Sequence, residues 1–198
     1  RVEAAGNPLS FLHVVKPEID LPADVDPYGE EVYAKGRENF GRLFEDGQVK
    51  RDEEPSYYLY RLTMDGRSQT GVVGCCSVDE YFGGRIKKHE LTRPVKEDDR
   101  VRHVETLNAN AEAVFFSYRG NESIDGFVSE QLLGVPVYDF TSEDGIRHEF
   151  WTVSDPEEVS RQTFPIVTLT IEIIHENVFK LFDVRAMSSD VTCSVDRN

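Results

Sequence analysis

The stretch Ser56–Val78, SYYLYRLTMDGRSQTGVVGCCSV, decides the class of fold. Its first part, SYYLYRLTM, is rich in residues that favour strands, and QTGVVGCCSV is nearly continuous apolar. Asp65-Gly66 stands between them. A tight hairpin turn needs two residues that tolerate positive φ, and Asp-Gly is a strong signal for one. A second hairpin is predicted in PVYDFTSEDGIRHEFWTV, about Asp144-Gly145. Its alternation puts Val137, Asp139 and Thr141 on one face and Tyr138 and Phe140 on the other.

Helices are predicted between the strands. One begins near Asp26, with Asp26 as cap and Pro27 in the first helical position, and stops near Asp46-Gly47. Val32, Phe40, Leu43 and Phe44 form its apolar side, and Gly36 and Gly41 weaken it. A short helical turn is expected from Asp79 to Gly84, a helix from Pro94 to about Asn108, another in ESIDGFVSEQLL, and a short one from Asp155 to Arg161. EAVFFSY reads as a buried strand, and IVTLTIEII as a final strand that joins the sheet to about Ile174. Near the start, Asn7-Pro8 reads as a turn and SFLHVV as extended chain. Hairpins with intervening helices predict an α+β fold with a mixed sheet, rather than a regular parallel α/β fold. Residues 1–165 form one domain in this reading, and 166–198 a divergent strand and tail.

The bulk composition bounds the function. A chain of 198 residues with 39% hydrophobic and 11% aromatic content can bury a core without covalent staples. Its formal charge of −15 argues against general binding to nucleic acid or anionic membranes. Cys75 and Cys76 are neighbours in an apolar run and Cys193 leaves an odd count, which predicts buried thiols in a reducing compartment. No apolar run reaches the length of a membrane span and no signal peptide opens the chain, so a cytoplasmic location is expected.

Against this acidic background stands GGRIKKHELTRPVKEDDRVRH, Gly83–His103. It holds seven Lys and Arg against four acids, a local +3 in a chain of −15. Lys88, His89, Glu90, Arg93, Lys96, Asp99 and Arg100 bring cations, an imidazole and carboxylates into one segment. Phosphate groups favour such a set: Arg forks and Lys charges neutralise them, and a helix N-terminus adds backbone donors. Carboxylates beside a phosphate hold Mg²⁺ through water or accept a proton from an attacking hydroxyl. The same residues also fit a solvated helix of ion pairs, worth little to stability. From charge alone that plainer reading is favoured.

Other signals are weaker. His13 fits a hydrogen-bonded core histidine, His103 is near enough to belong to the basic run, and His148 fits a cross-strand partner. Trp151 beside Phe150 reads as core. No phosphate-loop, dinucleotide-fingerprint or nucleophile-elbow pattern occurs, and His89-Glu90 lacks the second His of a zinc-protease motif.

Five stretches in order resemble one family: NPLSFLHVVKPEIDLP, DPYGEEVYAKGRENF, DEEPSYYLYRLTMDGRSQTGVVGCCSVDEY, IKKHELTRPVKEDDRVRH and VYDFTSEDGIRHEFW. They look like the domain of unknown function 1015 family, over about residues 4–165, with KHE-x-TR…K-x-DR as the most specific block. The family is loosely related to ParB, within a ParB/sulfiredoxin-like superfamily that includes free-serine kinases. The resemblance implies phosphoryl transfer from ATP or ADP, with Mg²⁺, to a small hydroxyl compound. It raises the functional reading of the basic block above the ion-pair one. Lys88, Arg93, Lys96 and Arg100 become candidates to face the nucleotide's phosphates. His89, Glu90 and Asp99 become candidate catalytic groups.

The chain also departs from the family pattern. A Pro-rich segment with a PYDV-like turn is expected before Arg1. A D-G-H-H-R motif is expected after the strand near Ile166–Ile171, and none of the Asp-Gly pairs at Asp46, Asp65, Asp125 and Asp144 continues that way. From about Thr168 the sequence no longer follows the family. The first expectation is therefore a protein that binds a phosphorylated small molecule or nucleotide, kinase-like in its complete form and inactive here if D-G-H-H-R is catalytic. The alternative is a non-enzymatic, ParB-like nucleotide-binding regulator. The oligomeric state is left open by the sequence.

Overall fold

The computed structural model describes residues 4, 6–76, 78–87, 93–118, 120–155 and 166–169. In chain order the elements are α1 (Leu12–Val15), a 3-10 turn (Pro17–Asp20), α2 (Glu30–Glu45), β1 (Tyr57–Met64), β2 (Arg67–Val73) and α3 (Val78–Phe82). They continue with α4 (Pro94–Leu107), β3 (Phe116–Tyr118), α5 (Glu122–Gln131), β4 (Tyr138–Thr141), β5 (Arg147–Val153) and β6 (Ile166–Leu169). The class is α+β, as expected. Every described strand pair is antiparallel, where a mixed sheet was expected. The described residues form two compact units, one from residues 4–51 and 93–115, the other from 52–87 and 116–169.

The first unit is helical. Phe11, Val14, Phe40, Leu43, Leu107 and Ala111 make its core, so α1, α2 and α4 each contribute. The expectation of extended chain over SFLHVV is overturned: Leu12–Val15 is a helical turn. Phe11 and Val14 lie three residues apart, and only a helical turn sends both to one side, where they meet Phe40 and Leu43. The Asn7 turn is present, with the Asn7 side-chain oxygen accepting from Leu9 N at 3.1 Å.

Helix α2 ends at Asp46-Gly47 as predicted, with Gly47 at φ +67. It begins at Glu30 behind Gly29, three residues later than predicted. Asp26 caps a turn instead: its side chain accepts from Tyr28 N at 3.0 Å and its carbonyl from Gly29 N at 2.9 Å. Gly36 has a packing role that its helix propensity hid. A Cβ there would sit 3.2 Å from both Pro17 Cγ and Val14 O, so glycine lets the first segment lie close against α2.

The second unit is built on a sheet of order β2-β1-β5-β4. Asp65 and Gly66 take φ of 51° and 74°, the two positive values the first hairpin turn requires. Leu59 pairs with Trp151 on one side and Val72 on the other. Leu59, Trp151 and Val153 pack against Phe127 of α5, with Val128 and Leu132 around them. Trp151 is core, as expected, and its indole donates to Gly134 O at 2.9 Å. Cys75 and Cys76 are half-buried, where buried thiols were expected, because β2 ends at Val73 before reaching them.

Strand β6 pairs with β3 in a two-stranded sheet of its own, rather than with the hairpin sheet. Strand β3 covers only Phe116–Tyr118, and Val114 is exposed, so the buried strand expected over EAVFFSY is shorter and less covered. A three-residue ladder on a single partner shields little surface. The expected helix after Asp155 and the extension of the last strand to Ile174 lie outside the described residues. No described helix is long and apolar enough to cross a membrane.

Two polar clusters finish the second unit. Glu149, 3% exposed, accepts a fork from Arg61 at 2.6 and 2.7 Å, and Arg147 Nη2 lies 3.1 Å from it. On the other face, burial pushes the Tyr60 phenol up to about 12. The phenol oxygen lies 2.6 Å from His148 Nδ1, and His148 Nε2 lies 2.9 Å from Ser142 Oγ, whose hydroxyl reaches Asp144 and Ile146 O. His148 thus pairs across the hairpins as predicted and ties the second turn to the sheet.

Candidate functional site

The basic segment is described over Gly83–Lys87, where Arg85 pairs with Glu80 and Lys87 donates to Gly84 O, and again from Arg93, where it runs on as α4. Pro94 stands at the first helical position, as predicted, and Asn108 closes the helix in the left-handed region at φ 51°. Arg93 occupies the cap position in extended conformation, and no side chain caps the helix. Its carbonyl accepts from Lys96 N at 2.9 Å and Glu97 N at 3.0 Å. Pro94 has no N–H and the Lys96 and Glu97 N–H groups are taken by Arg93 O, so the open end of α4 offers chiefly its dipole and the exposed side chains of Arg93 and Lys96.

Lys96 lies over the ring of Tyr28, 5.5 Å from its centroid, and donates to the Tyr28 hydroxyl at 3.1 Å. Arg102 binds the same loop from two turns further on. It donates to Tyr28 O at 3.3 Å and stacks over the Tyr33 ring at 4.7 Å. Two cations of the basic segment are thus spent in part on two tyrosines, a contact worth about 0.5–1 kcal/mol each at exposed sites.

Asp99 faces inward and is 8% exposed. The Tyr33 hydroxyl donates to its Oδ1 at 2.8 Å, and Arg100 donates to its Oδ2 from Nη2 at 2.9 Å and Nε at 3.3 Å. Burial pushes the Asp99 carboxyl up, but the bonds from Tyr33 and Arg100 and the nearby cations outweigh it and hold the group below its ordinary range. Burial and the bond to Asp99 push the Tyr33 phenol up to about 12. Arg100 reaches Glu112 with its other arm. Burial disfavours the charge on Arg100, yet Glu112 and Asp99 overcome that and hold it firmly protonated.

The structure therefore distributes the predicted residues. Arg93 and Lys96 are exposed at the open end of α4, while Asp99 and Arg100 form a carboxylate-bridged pair against α2. Lys88, His89 and Glu90 lie outside the described residues. His103 is on the inner face of α4, where its Nε2 donates to Val14 O at 2.9 Å, so it braces α1 rather than joining the basic surface. His13 is held by Asp20 through Nδ1 at 2.8 Å and by Asn7 O through Nε2 at 3.1 Å, the hydrogen-bonded histidine expected. Among the described residues no group of three or more His, Cys, Asp or Glu side chains is placed to hold a metal.

Sequence reasoning missed Tyr28, Tyr33 and Glu112. The first two carried a faint signal, an Asp-Pro-Tyr-Gly turn ahead of a helix and a tyrosine among that helix's apolar positions. Glu112 lies beyond α4 and gave none.

No curated protein and no solved structure matches the chain. Over residues 1–168 the sequence matches the family described as Protein of unknown function (DUF1015). That match spans most of the chain, and the protein belongs to the DUF1015 family.

Proposed function

We propose that this protein binds the phosphate group of a small molecule or nucleotide at the open end of α4. The observation that carries the reading is the uncapped first turn of α4 with Arg93 and Lys96 exposed beside it, in a chain of formal charge −15. The helix dipole favours negative charge there, and Arg supplies a fork for phosphate oxygens. The preceding Lys88, His89 and Glu90 would extend the same site along the chain.

Kinase-like transfer to serine, with ATP or ADP and Mg²⁺, is the chemistry that the resemblance implies. Asp99 fits a metal poorly, because both its oxygens already accept bonds and a guanidinium lies against it. Its role in this reading is to hold Arg100. Glu90 would be the carboxylate left to hold a metal. Binding without turnover, as in a nucleotide-responsive regulator, is favoured by this commitment of Asp99.

Calorimetric titration with inorganic phosphate, ATP and ADP tests the proposal. Arg93→Ala and Lys96→Ala should each weaken binding by about 1.5–3 kcal/mol if a charged hydrogen bond is lost. Arg93→Lys should recover part of the loss, since an ammonium lacks the planar fork. Unchanged affinity in both alanine variants sinks the reading. A serine-phosphorylation assay with ATP or ADP separates the two versions: phosphoserine means a kinase, binding alone a regulator.

A further inference from the structure

Strand β2 ends at Val73, just ahead of the neighbouring thiols of Cys75 and Cys76. Residues 74–76 belong to neither strand nor helix, and α3 begins at Val78. The backbone ahead of the pair lies on an aromatic ring. A Cβ at Gly74 would stand 2.7 Å from two carbons of the Tyr57 ring, so glycine is what allows that approach. In a continued strand, consecutive side chains point to opposite faces. Here both thiols lie near one phenol: burial first, and then Cys76 and Cys75, push the Tyr57 hydroxyl up. Both cysteines are half-buried and neither is in a disulfide, so small reagents reach them.

We infer that Cys75 and Cys76 form a reversible redox site, which closes to a disulfide between neighbours when a low-molecular-weight disulfide oxidises it. The thiolate of one cysteine attacks a sulfur of the small disulfide. The S–S bond of the reagent breaks, a mixed disulfide forms on the protein and one small thiolate leaves. The neighbouring thiolate then attacks the protein-side sulfur and expels the second small thiolate. Two protein thiols lose two electrons and two protons, and the reagent takes up both as two small thiols. An accessible cysteine beside a resolving one is the arrangement of redox sensors. Covalent geometry makes the closed form labile. Neighbouring Cα atoms are about 3.8 Å apart across a trans peptide, below the roughly 4.4–6.8 Å that a disulfide ordinarily spans. A strained disulfide is the more easily reduced one, which suits a switch rather than a staple. The pairing of β1 with β2 stops at Val73, so the chain at residues 74–76 can bend to close the ring without breaking the ladder.

The chain carrying Cys193→Ser, which removes the third thiol, tests this with oxidised glutathione. Intact mass after acid quenching should show the loss of two hydrogens and no bound glutathione. Two equivalents of reduced glutathione should be released per chain. Dithiothreitol should restore both alkylatable thiols. Cys75→Ser and Cys76→Ser in the same background should each stop at a stable single glutathione adduct and release one equivalent, since no neighbour resolves it. Circular dichroism should show all three variants folded as the wild type is. A two-cysteine chain that keeps one or two glutathiones, crosslinks to another chain or stays unreacted overturns the inference, whatever the serine variants do.

Discussion

The phenol of Tyr33 donates to the buried carboxylate of Asp99 at 2.8 Å, across 66 positions of chain. This bond fastens α2 to α4 and fixes which way α4 turns about its axis. With Asp99 inward, Arg93 and Lys96 are left on the exposed side. The candidate site is thus oriented by a bond that is not part of it.

Changing both partners of that bond should cost less than the two single losses added together. Tyr33→Phe leaves a buried carboxylate short of a donor and should destabilise the protein by about 1–3 kcal/mol in urea unfolding. Combined with Asp99→Asn, the cost should fall short of the sum by about 0.5–3 kcal/mol, as for residues in one network. Strict additivity would show the two side chains do not interact in solution.

The same carboxylate should make stability depend on acid. Its folded-state pKa lies below the unfolded value, near 3.9 for an aspartate. The folded state therefore holds the proton more weakly, and the contribution is fully present above the unfolded pKa. It is lost as pH falls through the lower, folded value. Urea midpoints should fall more steeply below about pH 4 in the wild type than in Asp99→Asn. Parallel curves would place the acid sensitivity elsewhere.

Arg93 and Arg100 should separate binding from folding. Arg93→Ala, at an exposed position ahead of α4, should leave the unfolding midpoint within about 0.5 kcal/mol of wild type while weakening phosphate binding. Arg100→Ala leaves Asp99 without its cation and should cost about 1–2 kcal/mol of stability, at the low end for a charged bond because Arg100 is partly exposed. Equal stability effects would remove the assigned division of labour.

Two glycines in α2 should respond in opposite directions to alanine. A Cβ at Gly41 meets nothing within 4 Å, so Gly41→Ala should stabilise by about 0.5–1 kcal/mol through helix propensity. A Cβ at Gly36 presses on Val14 O and Pro17, so Gly36→Ala should destabilise. Thermal unfolding of the two single variants measures both signs.

Glu149 should be the most sensitive carboxylate of the sheet. It is nearly enclosed and faces Arg61 and Arg147. Glu149→Ala leaves Arg61 without its fork partner over Trp151 and should cost about 2–4 kcal/mol in urea unfolding. A loss under about 0.5 kcal/mol would mean that water replaces the carboxylate at no penalty.

The sequence by itself determined both hairpin turns, the span of α4, the end of α2 and the core place of Trp151. Each is written locally: Asp-Gly for the positive φ of a turn, at both residues in the first hairpin and at Gly145 in the second, Pro94 and Asn108 for the helix ends, alternation for the strands. The tertiary structure alone decided the conformation of SFLHVV, the partner of β6 and the fate of the charges in α4. An apolar run of six residues satisfies a strand or a helical turn equally, and contact with Phe40 and Leu43 settles it. Charges are the extreme case. In sequence, Lys96, Asp99, Arg100 and Arg102 read as one mixed run. A helix sends neighbouring residues about 100° apart, so they divide among Tyr28, Tyr33 and Glu112, which lie far off in sequence or beyond the helix. Whether a charged side chain is a ligand group or a brace depends on what reaches it, and only the packed chain supplies that partner.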